Sequence, residues 1–138
     1  MPKLTRVSVS LEDALLRRFD ARSAREGYPT RSEAIKAVMR GALVEEEWAA
    51  NQEVAGAITV VYDHHRGGMV ARLTDVQHDF GGCIVSAQHV HLDRAHCLEV
   101  IVVKGPARRI RELLAGLKAV KGLKHSAMVR SSLGRLLG

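Results

Sequence analysis

Near the start of the chain the run Arg6-Val7-Ser8-Val9-Ser10-Leu11 alternates polar and apolar residues, the period of a strand with one face buried. Val7, Val9 and Leu11 share one face, and Arg6, Ser8 and Ser10 share the other. Two helices are expected after it. Ser10 can cap the first, with Asp13 completing a box-like pair and Leu15, Leu16 and Phe19 forming an apolar stripe that Gly27 brings to a stop. Thr30-Arg31-Ser32-Glu33 is a second capping box, behind which Ile35, Val38, Met39, Ala42 and Leu43 recur at helical spacing. One strand and two helices cannot make a core, because both strand edges stay unpaired and the helices cover only one face. The unit needs a second copy. Two chains pairing these strands antiparallel would bury Val7 and Val9 beneath four helices and turn two sets of Arg6, Ser8 and Ser10 outward. A polar, cationic, two-stranded ribbon fits the major groove of B-DNA, where Arg forks onto guanine and hydroxyls reach base edges.

Charge supports an anionic partner without naming one. The 138 residues carry 21 Lys and Arg against 15 Asp and Glu, a formal charge of +6. Only 4% are aromatic, too few and too scattered for a row of base-stacking platforms, which argues against single-stranded nucleic acid as the ligand. No apolar run is long enough to span a bilayer, and none follows the first residues at signal-peptide length, so a cytoplasmic location without membrane contact is expected.

All seven histidines and both cysteines lie beyond residue 63, which divides the chain chemically as well as structurally. We place the boundary near residue 50, with 1–50 as the strand-helix-helix domain and 51–138 as a second domain. The acidic run Glu45-Glu46-Glu47 to Glu53 is expected to end the second helix and form the junction. In the second domain, residues 57–62 read as strand, 67–76 as helix, 83–91 and 98–104 as strands, a helix follows Gly105-Pro106, and 124–129 read as a last strand. The order β-α-β-β-α-β is that of a ferredoxin-like sandwich, which makes the chain α+β overall.

His89-Val90-His91 on a strand places both imidazoles on one face, about 6.5 Å apart along the chain. A turn at Asp93 and Arg94 then brings back Cys97, so three donors converge from one hairpin. Two imidazoles and a thiolate suit a late first-row divalent ion and not Mg or Ca, which prefer oxygen. The fourth donor is open among His78, His64, His65 and His96, and the metal is open with it: tetrahedral ligation suits Zn, planar ligation Ni or Cu(II). Cys83, in an apolar stretch, reads as core. No carboxylate is placed to orient either histidine, which argues against His/Cys catalysis, and the chain reads as a non-enzyme.

Arg6 to Leu11, Gly27-Tyr28 and Arg31-Ser32-Glu33-Ala34-Ile35 resemble the ribbon-helix-helix DNA-binding domain. Gln77-His78, His89-Val90-His91-Leu92, Cys97-Leu98-Glu99-Val100 and Lys104-Gly105 resemble, in order and spacing, the ACT-like regulatory domain of nickel-responsive transcriptional regulators, the NikR family. The resemblance implies that Arg6, Ser8 and Ser10 read bases and Arg31 contacts a phosphate. It implies a planar Ni(II) site, one per chain, made by His89, His91 and Cys97 with His78 of the partner subunit. It further implies a homotetramer, a dimer of dimers gripping two half-sites of a double-stranded operator, in which nickel favours DNA binding and usually represses nickel uptake genes. The alternatives are a regulator of the same build answering to Cu, Co or Zn, and a metal storage or trafficking protein. The chain departs from some members at Ala37, where they carry a second acid beside the match to Glu33, and at Asp79, where relatives continue a histidine run.

Overall fold

The structure, a computed structural model, describes residues 2–138, and the chain divides into two compact units. One runs to Leu43 and takes in Leu136–Gly138; the other is Val44–Arg135. Helix α1 spans Asp13–Arg25 and α2 spans Arg31–Ala49. The turn between them uses Gly27 at φ 82°, a left-handed conformation that glycine adopts without the Cβ penalty. The expected box at the start of α2 is present, the Glu33 N–H donating to Thr30 Oγ1 at 3.1 Å.

One expectation for the first unit is corrected: Ser10 does not cap α1, because Glu12 occupies the N-cap, without a side-chain hydrogen bond, and the helix begins at Asp13. Residues 4–11 are unpaired within the single chain, which offers them no neighbour; the expected ribbon needs the second copy.

The second unit follows the expected order. Strand β1 (Glu53–Asp63) leads to α3 (Met69–Asp79), a short 3-10 turn at Gly81–Cys83, β2 (Ile84–His91), β3 (His96–Pro106), α4 (Ala107–Lys118) and β4 (His125–Arg130). The sheet order is β2-β3-β1-β4, antiparallel throughout. Alternation decides what each face buries. Val54, Ile58, Val60 and Tyr62 of β1 and Cys97, Ile101 and Val103 of β3 pack with Met69, Leu73, Ile110, Leu113 and Leu117 from α3 and α4. Each large apolar side chain so enclosed contributes about 1.5 to 3 kcal/mol. The opposite face carries Val61, Leu98, Val100, Val102 and Val129, of which Val102 and Val129 are exposed. Trp48, on the last turn of α2, is fully buried in this unit and donates Nε1–H to the Ser131 carbonyl at 2.8 Å.

Candidate metal centre and nucleic-acid interface

The hairpin of β2 and β3 sets the geometry of the candidate centre. Its register pairs His91 with Cys97 and His89 with Glu99, and on the other side of β3 pairs Cys97 with Tyr62 of β1. Asp93 builds the turn: its Oδ1 accepts from the Ala95 and His96 N–H groups at 2.8 Å each, and its carboxylate also meets His96 Nδ1. Those donors hold the Asp93 carboxyl down at about 2. His96 is engaged in this turn and His65 faces the Arg94 carbonyl, with Nε2 at 2.9 Å.

Cys97 is completely buried at the mouth of the sheet. Its Sγ lies 3.2 Å from His64 Nδ1 and 3.5 Å from His91 Nδ1. His64, His91 and Cys97 form a group able to hold a metal ion, all three ligand atoms lying within 4.8 Å of one another. His89 stands beside them, its ring centroid 5.2 Å from that of His91, with Nδ1 3.0 Å from the Tyr62 hydroxyl. That contact leaves Nε2 as the free nitrogen of His89. Burial first, then the charges of Glu99 and Cys97, push the Tyr62 hydroxyl up to about 12, so it stays a neutral hydrogen-bonding group. Burial, helped by Asp63 and Asp93, likewise pushes the Cys97 thiol up. Two imidazoles beside a buried sulfur fit a late first-row divalent ion on donor chemistry alone.

Of the expected ligands, His91 and Cys97 fall in that donor group, and His89 stands beside it. His78 does not join them within the chain: it is exposed on the last turn of α3, outside the donor group formed by the described residues. His64 came from the open set of fourth donors, and only the β1–β3 register could single it out. Tyr62 and Glu99 were missed. Glu99 accepts from Gln77 Nε2 at 3.0 Å and so ties the end of α3 to the sheet beside His89.

In the first unit Arg6, Ser8 and Ser10 are exposed, as a reading face requires. Arg31 is not a free cation. Its Nε and Nη2 donate to the two carboxylate oxygens of Asp20 at 3.0 and 2.7 Å, which holds the Asp20 carboxyl below its usual range. Among the described residues Ser23 and Ala34 are the buried positions of this unit, whereas Val7 and Val9 are 84% and 72% exposed. No helix is long and apolar enough to cross a membrane among the described residues.

Comparison with known proteins agrees with both halves. The family described as NikR C terminal nickel binding domain matches residues 55–131, and the family described as ribbon-helix-helix protein, copG family, matches residues 5–46. A protein of Thermococcus onnurineus named "Putative nickel-responsive regulator" is 47% identical over 136 residues, 98% of this chain and 99% of its own length. One of Syntrophus aciditrophicus with the same name is 43% identical over 136 residues, covering 99% of each chain. Among solved structures, an uncharacterized protein from Thermotoga maritima is similar at TM-score 0.52 and 16% identity, over 57% of this chain and 98% of that one. The ACT domain of a Chlorobium tepidum GTP pyrophosphokinase is similar at TM-score 0.50 and 16% identity, over 56% of this chain and all of the other; both likenesses speak for the fold alone. A ribbon-helix-helix DNA-binding domain joined to an ACT-like nickel-binding domain, with relatives this similar along nearly its whole length, means that the chain belongs to the NikR family of nickel-responsive regulators and is a regulatory protein, not an enzyme.

Proposed function

We propose that the chain is a nickel-dependent, sequence-specific repressor of nickel uptake genes that acts as a homotetramer, a dimer of dimers, on an operator with two half-sites. Residues 1–50 serve as the DNA-binding domain and 51–138 as the metal-binding and tetramerisation domain. The observation that carries the reading is the buried Cys97 sulfur with His91 Nδ1 at 3.5 Å and, 5.2 Å from the His91 ring, the His89 imidazole already oriented by Tyr62. His89, His91 and Cys97 with His78 of the partner subunit would hold one Ni(II) per chain, which when bound supplies a link between subunits. His78 is exposed and the outer face of the sheet is apolar, both of which suit a second copy.

Donors divided between two chains favour the placement of subunits that unites them. An operator that prefers the same placement is then bound more tightly by linkage; a coupling of ~1 to 3 kcal/mol is about 5 to 150-fold. Arg6, Ser8 and Ser10 of the paired strands read base edges, and Arg31 offers a phosphate the guanidinium edge that Asp20 leaves free.

A second reading has its own observation. His64 Nδ1 is nearer the sulfur than His91 Nδ1, and a site of His64, His91 and Cys97 within one chain suits a tetrahedral ion such as Zn(II). Anaerobic titration of reduced, metal-free protein with Ni(II), read by absorption, separates the two. Saturation at one equivalent with a thiolate charge-transfer band and a planar d8 spectrum is the expected result. The same protein is then used to select binding sites from random duplex DNA with and without nickel. Nickel-independent selection would overturn the regulatory reading.

Two variants test its parts. Tyr62→Phe removes the group that orients His89 and is expected to weaken nickel binding about 10-fold at unchanged stoichiometry, as loss of an outer-shell hydrogen bond does; unchanged affinity in the same titration would dismiss that role. Arg6→Ala is expected to cost about 1 to 3 kcal/mol of discrimination between operator and unrelated DNA, with nickel uptake intact. Fluorescence anisotropy on both duplexes measures the ratio, and an unchanged ratio would exclude Arg6 as a base reader.

A further inference from the structure

His78 stands on the last turn of α3, and the chain fixes that turn on both sides of it. On one side Gln77 is tied to β3 through Glu99, Nε2 to Oε1 at 3.0 Å. On the other side α4 reaches over with Arg109. Its Nη2 donates to the Asp79 carbonyl oxygen at 2.9 Å, and its guanidinium carbon lies 4.1 Å from the centroid of the Phe80 ring. Glu112, one turn along α4, accepts from Arg109 Nη1 at 3.1 Å and holds the guanidinium over that ring. The Phe80 N–H closes back onto the Gln77 carbonyl at 3.0 Å.

The last four carbonyls of a helix have no partner inside it, so an exposed helix end frays unless something else binds them. Here one arginine from another element takes the Asp79 carbonyl and stacks on the next side chain. Its planar guanidinium can stack with its face and donate with its edge at the same time, which a lysine ammonium cannot do. Between these two pins the exposed side chains with no partner among the described residues are His78 and Asp79, and of the two the imidazole is the donor that suits a late first-row ion. A rigid mount beneath a free imidazole has a use if that imidazole must meet a fixed point outside its own chain.

We propose that Arg109 is a positioning residue for His78: it holds the end of α3 so that the imidazole is presented in a fixed direction to the donor group of a partner subunit. The proposal rests on the reading of His78 as the fourth donor. Without Arg109 the end of α3 must be ordered as nickel binds, which lowers affinity and depletes the four-donor state relative to the three donors of one chain.

The test uses the full-length, reduced, metal-free protein and the variants Arg109→Ala, Arg109→Lys and His78→Ala, each titrated with Ni(II) by absorption and sized by light scattering. Arg109→Ala is expected to bind nickel about 10-fold more weakly, with its spectrum displaced from the wild-type form toward that of His78→Ala. Arg109→Lys is expected to lie between, since it keeps a donor and loses the stacking plane, while circular dichroism and assembly mass stay the same. A wild-type spectrum and affinity in Arg109→Ala, with His78→Ala deficient, would overturn the positioning role and leave the ligand set standing. A wild-type spectrum in His78→Ala would overturn the ligand set, and this proposal with it. Should Arg109→Ala fail to fold, Phe80→Leu removes the ring beneath the guanidinium and carries the same expectation and the same contrary result.

Discussion

Cys97→Ala is expected to lower nickel affinity by at least about 100-fold and to erase the thiolate charge-transfer band, in a chain that still folds. The sulfur is common to both donor sets the site offers, with His91 Nδ1 at 3.5 Å and His64 Nδ1 at 3.2 Å, and it is fully enclosed. Losing an outer-shell partner of a metal site already costs 10 to 100-fold, and losing the thiolate itself costs more. The fold tolerates the change because the deletion removes one buried atom from a large core that keeps Tyr62, the strand neighbour of Cys97, and the rest of its apolar cluster. The same burial gives the wild type a proton signature. The thiol is held above its usual range, so at neutral pH it is protonated and must lose its proton to ligate. Nickel binding by the wild type should therefore release a proton from Cys97, and below the thiol's pKa the apparent affinity should rise with pH, about tenfold per unit from this group. Calorimetry in buffers of different ionisation enthalpy measures that proton, and the variant should not release it. Retained planar binding by Cys97→Ala would remove the sulfur from the ligand set.

The elements of the second unit were legible because each strand carries its own short-range signature and glycine or proline punctuates the joints. The pairing of β2 with β3 was legible for the same reason, since a brief turn can only return the chain beside itself. What local pattern could not supply was which residue of β1 lies next to Cys97. That depends on a pairing between positions 35 apart in the chain, Tyr62 with Cys97, and it is this pairing that brings His64 to the sulfur and Tyr62 close to His89. The run Glu45-Glu46-Glu47 read as a helix end and junction, and α2 does end at Ala49. The same stretch also carries Val44 and Trp48, one turn apart, and both pack into the core of the second unit. A run of three acids hid an apolar seam. His78 is the converse case: its place near the end of a helix was readable, while the use proposed for it depends on a subunit that a single chain does not contain.

Val9→Asp is expected to reduce operator binding by at least about 100-fold while leaving the nickel titration unchanged. The first unit cannot be stable as the single chain holds it, for among its described residues Ser23 and Ala34 are buried and Leu4, Val7, Val9, Leu15, Val38 and Met39 are exposed. Covering such side chains contributes about 1.5 to 3 kcal/mol each, and a paired ribbon also satisfies the backbone groups that a lone segment leaves to water. An aspartate at residue 9 would be buried twice in each ribbon, once from either chain. A buried unpaired carboxylate costs several kcal/mol, comparable with the whole stability of a domain this small. The ribbon then fails to form, and Arg6, Ser8 and Ser10 lose the frame that their proposed role as base readers requires. Ser8→Ala, on the opposite face of the same segment, should leave assembly intact and change only which sequences are preferred. Circular dichroism, light scattering and anisotropy on operator DNA together separate loss of the ribbon from loss of a contact. Wild-type operator affinity in Val9→Asp would mean that Val9 lies outside the buried face of the ribbon, and the alternation of residues 6–11 would then have to be reassigned.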